Sequence, residues 1–149
     1  LYDVIRKYLT NPIRKKIYVE KNIILNKFLE KAVVSSESTL SNLSLYKSDN
    51  IDYYALEKKD FRDLEIEMRE QDITIFSKKK EVELLSKYNK IVSVEEWSYD
   101  PKILKGKGNN IDIVSLYMIL KKRLEQENGD YRLQQELEIL LEDYLNEYH

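Results

Sequence analysis

A stripe of apolar residues at helical spacing recurs near the carboxyl end, and only a short turn separates its two copies. Ile113, Leu116, Leu120 and Leu124 mark the first copy within residues 111–127. Leu133, Leu137, Leu140, Leu141, Tyr144 and Tyr148 mark the second, a helix expected over 131–147. Residues four or three apart share a helix face, so each stripe must be buried against something. Between them, Asn128-Gly129-Asp130 joins a helix-stopping Gly to an N-capping Asp. Two amphipathic helices on so short a turn predict an antiparallel hairpin.

Upstream, the apolar period shifts between helix and strand. Val4, Ile5 and Leu9 predict a helix over 2–9 that Asn11-Pro12 ends. Loose alternation predicts a strand over 13–21, and Asn22 is placed to cap a helix over 23–33. SESTLSNLSLY reads as a short helix entered from a Ser cap. IDYYALE (51–57) reads as a strand leading into the helix FRDLEIEMRE (61–70). DITIF (72–76) is a further strand candidate, and residues 78–88 are a helix candidate with Val82, Leu85 and Tyr88. In 90–100, Ile91, Ser93, Glu95 and Trp97 take one face of a strand, Val92, Val94, Glu96 and Ser98 the other. KGKGNN (105–110) reads as a plain loop, because it has neither the third Gly nor the flanking strand of a dinucleotide fingerprint. The fold class expected is a single α+β domain over 1–149: a small mixed or antiparallel sheet covered by helices, ending in the hairpin.

The 149 residues suffice for one core, and no internal repeat interrupts them. Basic residues number 25 and acidic 27, a net of −2, which argues against a uniformly basic nucleic-acid surface. The ends differ: residues 1–34 hold eight basic and three acidic side chains, residues 109–149 four and nine. Such asymmetry suits docking between copies of the molecule or between its parts. There is no Cys, and the one His is His149 at the chain end. Thiolate metal sites and Ser-His or Cys-His catalysis therefore lack parts, and no catalytic residue, metal ligand or cofactor is expected. No apolar run could span a bilayer and no signal-peptide pattern stands at Leu1, so a cytoplasmic protein is expected.

Three constellations remain. Glu57 and Lys59 form an E-x-K with Asp52 upstream, the residue types of a metal-dependent nuclease. Positions 52 and 57 are of opposite parity, however, and a regular strand points them apart. Glu95, Trp97 and Tyr99 alternate along one side of a strand, either as the wall of a ligand pocket or with Trp97 packed beneath the C-terminal helices. Arg14, Lys15 and Lys16 suit phosphate contact or the protection of a sheet edge, with Lys15 turned away from its neighbours.

The order of segments resembles bacterial winged-helix transcription regulators of the MarR-like kind, in which a C-terminal domain follows a DNA-binding winged helix. The resembling stretches are LTNPIRKKIYV (9–19), SSESTLSNLSLY (35–46), DYYALEKKDF (52–61) and the run from EEWSYDPKIL to LQQELEILLEDY (95–144). Trp97, Tyr99, Asp100, Pro101, Asp112, Ser115, Leu116 and Tyr117 carry it best, with Val114 departing from the pattern. Antitoxins of abortive-infection systems, a winged helix followed by an α+β domain, are a related possibility. The resemblance implies that the chain is the C-terminal part of a longer one, serving as the effector-sensing or assembly domain of a DNA-binding transcription regulator. It implies DNA contact through an upstream domain and a homodimer. It also gives weight to Arg6, Lys7, Arg14 and Lys16 as phosphate contacts. A metal-dependent nuclease or other phage-defence enzyme is the rival reading, and an interaction module such as an antitoxin domain the third.

Overall fold

The structure is a computed structural model and describes residues 11–46, 50–103, 105–106, 108–126 and 131–147. The helix expected over 2–9, with Arg6 and Lys7, lies outside the described residues, as does the turn 127–130.

The first strand, β1 (Ile13–Glu20), starts directly after Pro12, where Asn11 Oδ1 accepts the Ile13 amide at 2.9 Å. Helix α1 (Ile23–Leu29) is capped as expected, with Asn22 Oδ1 accepting the Leu25 N–H at 2.8 Å. It is shorter than the predicted 23–33, because β-branched Val33 and Val34 are recruited into the sheet as β2 (Val33–Val34). There follow α2 (Ser36–Leu43), β3 (Ile51–Glu57), α3 (Lys58–Glu70), the single turn α4 (Lys79–Val82), a 3₁₀ turn Leu85–Lys87 and β4 (Ile91–Trp97). Helices α5 (Ile113–Gln126) and α6 (Tyr131–Glu147) end the fold. The helix expected over 78–88 is thus broken in two. DITIF is not a strand of the sheet: only Phe76 bridges to Tyr18, exchanging two backbone bonds of 2.8 and 2.9 Å. Asp72 at its start has φ 56°, a left-handed conformation that interrupts extended backbone.

The sheet is mixed, in the order β1-β4-β3-β2. β1 runs antiparallel to β4, β4 parallel to β3, and β3 antiparallel to β2. β1 is therefore an edge strand, with its run of cations on that edge. β4 alternates as its sequence predicts. Val92 and Val94 face one layer, built with Ile17, Val19, Leu56 and the α1 and α3 side chains Leu25, Phe28, Phe61, Leu64 and Met68. Trp97 faces the other layer with Val33, Ala55, Leu40 of α2, Leu116, Ile119 and Leu120 of α5, and Leu133 and Leu137 of α6. Trp97 is accordingly core, packed beneath the two C-terminal helices. Each such large apolar side chain contributes roughly 1.5–3 kcal/mol by leaving water. A third cluster of Tyr18, Ile51, Tyr53, Val82 and Ile91 closes the opposite end of the sheet.

A register shift between Ile13 and Lys15 flips side-chain parity at the start of β1. Ile13 consequently packs with the Trp97 layer, while Lys15 reaches Glu65 on α3, on the other face, at 2.7 Å. The KGKG loop is structural. Val34 donates to Asn109 O and accepts from Ile111 N, so the loop sheathes the outer edge of β2. A Cβ on Gly106 would stand 2.8 Å from the Ile111 carbonyl oxygen, which is why Gly is needed there. Among the described residues, no helix is long and apolar enough to cross a membrane.

Candidate anion-binding groove and the carboxylates beneath it

Between the β1 edge and α5 runs a groove of about 280 Å³, lined by Asn11, Ile13, Arg14, Lys15, Lys16, Ile119, Lys122 and Arg123. No acidic side chain lines it. Two segments distant in sequence supply its cations. Strand β1 brings Arg14 and Lys16, and α5 brings Lys122 and Arg123 one turn beyond Ile119, whose burial fixes the helix rotation. Arg14 and Lys122 are exposed, whereas Lys16 and Arg123 are half-buried.

Beneath the groove lie two buried carboxylates. Glu37, in the first turn of α2, forms an ion pair with Arg123, whose guanidinium stands over the Tyr53 ring, 5.8 Å from its centroid. Glu95 is fully buried on β4, directly opposite Lys16 on β1. Its oxygens accept from Ser35 Oγ and Ser36 Oγ, each at 2.5 Å, and from Trp97 Nε1 at 3.1 Å. Burial pushes the Glu95 carboxyl above the usual carboxylate range, opposed by those three hydrogen bonds and by the Lys16 charge.

This network reshapes the start of α2. Ser35 is the N-cap residue, as its position suggests, yet its hydroxyl makes no capping bond and turns to Glu95 instead. Ser36 holds a left-handed backbone with φ 47°, a conformation costing about 1–3 kcal/mol in a non-glycine residue. The Ser36–Glu95 bond offsets that cost.

Of the residues expected to touch phosphate, Arg14 and Lys16 share this groove; Arg6 and Lys7 lie outside the described residues. Of the three pocket candidates, Trp97 and Tyr99 stand together, ring centroids 5.4 Å apart and edge to face, with Tyr99 Oη 2.8 Å from Ser115 Oγ. Both border a wider depression of about 590 Å³. Glu95 does not line it and is spent on the serines. Asp52 sits at the opposite end of β3 from Glu57, about 17 Å along an extended strand, and pairs with Lys90 at 3.1 Å. Among the described residues, no group of three or more His, Asp or Glu side chains is arranged to hold a metal ion.

Sequence reasoning missed Lys122, Arg123, Glu37 and the two serines. The KKR run within α5 and the SSE run directly after Val33-Val34 were the available signals. No protein-family model, curated protein or solved structure matches this chain.

Proposed function

We propose that this domain serves a DNA-binding transcription regulator, gripping backbone phosphate through the β1–α5 groove beside a domain that reads sequence. The observation that carries the reading is the convergence of Arg14, Lys16, Lys122 and the Glu37-paired Arg123 on one groove with no acidic residue in its lining, in a chain whose net charge is −2. A chain of this balance gains nothing from diffuse positive charge, so cations concentrated in one place are the feature to explain. Phosphate contacts of this kind position a protein on a duplex without reading bases.

The test is salt-dependent binding to a random-sequence duplex. Each phosphate contact steepens the fall of log affinity with log salt by about 0.9. Arg14→Ala with Lys122→Ala should flatten the slope by nearly two such steps while leaving the fold intact, since both side chains are exposed. An unchanged slope overturns the groove as the DNA contact.

A second observation favours assembly as part of the same role. Ile139 and Leu145 on α6 remain 46% and 41% exposed. Leu145 borders an apolar groove of about 420 Å³ between α5 and α6, with Leu124, Leu137 and Leu141. Glu138 and Glu142 flank it. A second copy covering this face makes a homodimer, the symmetry that paired half-sites on DNA require. Sedimentation at micromolar concentration should show a dimer; a monomer removes assembly from the reading.

A further inference from the structure

The wider depression beside Trp97 is a separate feature and does not rest on the groove. It lies at the carboxyl ends of β3 and β4, the two parallel neighbours of the sheet. From β3 the chain turns into α3, which packs on the Val92 and Val94 face. After β4 it leads to α5 and α6, which pack on the Trp97 face. Adjacent parallel strands whose exits diverge to opposite faces leave a crevice between them, and ligands of sheets covered on both faces favour that place. Its volume of about 590 Å³ falls in the range of small-molecule sites.

The lining specifies the ligand. Lys58, Lys59 and Arg62 project from the first turns of α3, and none of them has an ion-pair partner among the described residues. Lys58 and Lys59 stand at the helix end where the macrodipole opposes cations, an arrangement that an anion seated there would reverse. Glu57, the N-cap residue, makes no side-chain capping bond to this 13-residue helix, whose first turn also carries Asp60. Glu57, Asp63 and Asp100 share the crevice. They offer acceptors to ligand hydroxyl groups. Tyr99, edge to face on Trp97, supplies a flat apolar wall.

We propose that the crevice between the ends of β3 and β4 binds a small phosphate monoester whose body carries hydroxyl groups, the phosphate at the start of α3 and the hydroxyls toward the three carboxylates. Trp97 is the only tryptophan and stands edge to face with Tyr99, so its fluorescence reports on the crevice through that ring. Titrating the whole chain with ribose 5-phosphate should give a saturable change. Lys59→Ala with Arg62→Ala, both exposed side chains, should weaken it about tenfold or more, and Arg14→Ala with Lys122→Ala should leave it unchanged. Amide chemical-shift changes confined to the start of α3 and to residues 97–100 would place the ligand there independently. No saturable response up to millimolar concentration overturns the proposal, as does an equal loss in the Arg14/Lys122 variant. Inorganic phosphate or ribose alone binding as tightly as the ester also overturns the ligand class.

Discussion

The two faces of the sheet are built on different principles. The α1–α3 face is a dry interlock of Val, Leu, Ile, Phe and Met, with its ion pairs (Lys15–Glu65, Lys31–Asp60, Lys27–Glu67) at the rim. The α2–α5–α6 face has comparable apolar packing around Trp97 but also encloses Glu95, Glu37, Ser35 and Ser36, with Arg123 beside them. Burying charge costs several kcal/mol per ion before any partner offsets it. The first face therefore supplies stability, and the second spends some of it to fix where the cations of the groove stand.

Deleting a large ring should hurt both faces most. Phe61→Ala and Trp97→Ala should each lower unfolding free energy by about 3–5 kcal/mol in chemical denaturation. Trp97→Ala should be the worse of the two, because it also removes a donor from Glu95. A loss below one kcal/mol at Trp97 would mean that the ring packs far more loosely than Phe61.

The charged pair offers a sharper contrast. Arg123→Met leaves Glu37 buried without its cation and should cost about 3 kcal/mol or more. Adding Glu37→Leu to it should restore most of the loss, since an apolar pair of similar volume is often as stable as a buried ion pair. If the double variant is no better than the single, the pair is not the source of the cost.

Glu95 should give this face a pH dependence. Its carboxyl is raised in the folded state, so the folded protein holds that proton more tightly than the unfolded chain does. Its contribution is therefore most favourable at acid pH, falls as pH rises from the unfolded to the folded pKa, and is level above that. Lys16, Ser35, Ser36 and Trp97 limit the fall. Glu95→Gln should remove this component from a stability-versus-pH profile; an unchanged profile would mean that Glu95 titrates alike in both states.

The smallest effect belongs to the rim. Lys15→Ala should cost about 0.2–1 kcal/mol, less at high salt, because its partner pair is half in water. A larger, salt-insensitive loss would mean that the Lys15 stem is packed rather than merely paired.

Much of the dry face was legible in sequence because apolar alternation and helical stripes are local signals. Val92 and Val94 declare their side of β4, and Asn22 declares the start of α1. The other face was legible in Trp97 and in the apolar stripes of α5 and α6, but not in its buried polar groups. This stretch reads as a helix entered from a Ser cap, yet the acceptor of Ser35 and Ser36 lies 60 and 59 residues away. Nothing local in the sequence says that Glu37 and Arg123 meet. DITIF has strand composition, but the sheet edge it touches at Phe76 accepts a single bridge rather than a strand. Polar pairs across long sequence separations leave no periodic trace, and the groove is made of them.

The position of β4 between β1 and β3 also sets the order in which the molecule can be born. Among the described residues, β4 is the only strand paired with β1, in a register running from Ile13↔Trp97 to Glu20↔Ile91. A chain emerging amino end first therefore presents β1 without its partner strand until Trp97 has left the ribosome, on the order of 4–15 s after Glu20 at ordinary rates of synthesis. The cations on that strand, besides serving the finished groove, keep the waiting segment hydrated and averse to its own kind. One charge run thus guards the nascent chain first and shapes the folded surface afterward.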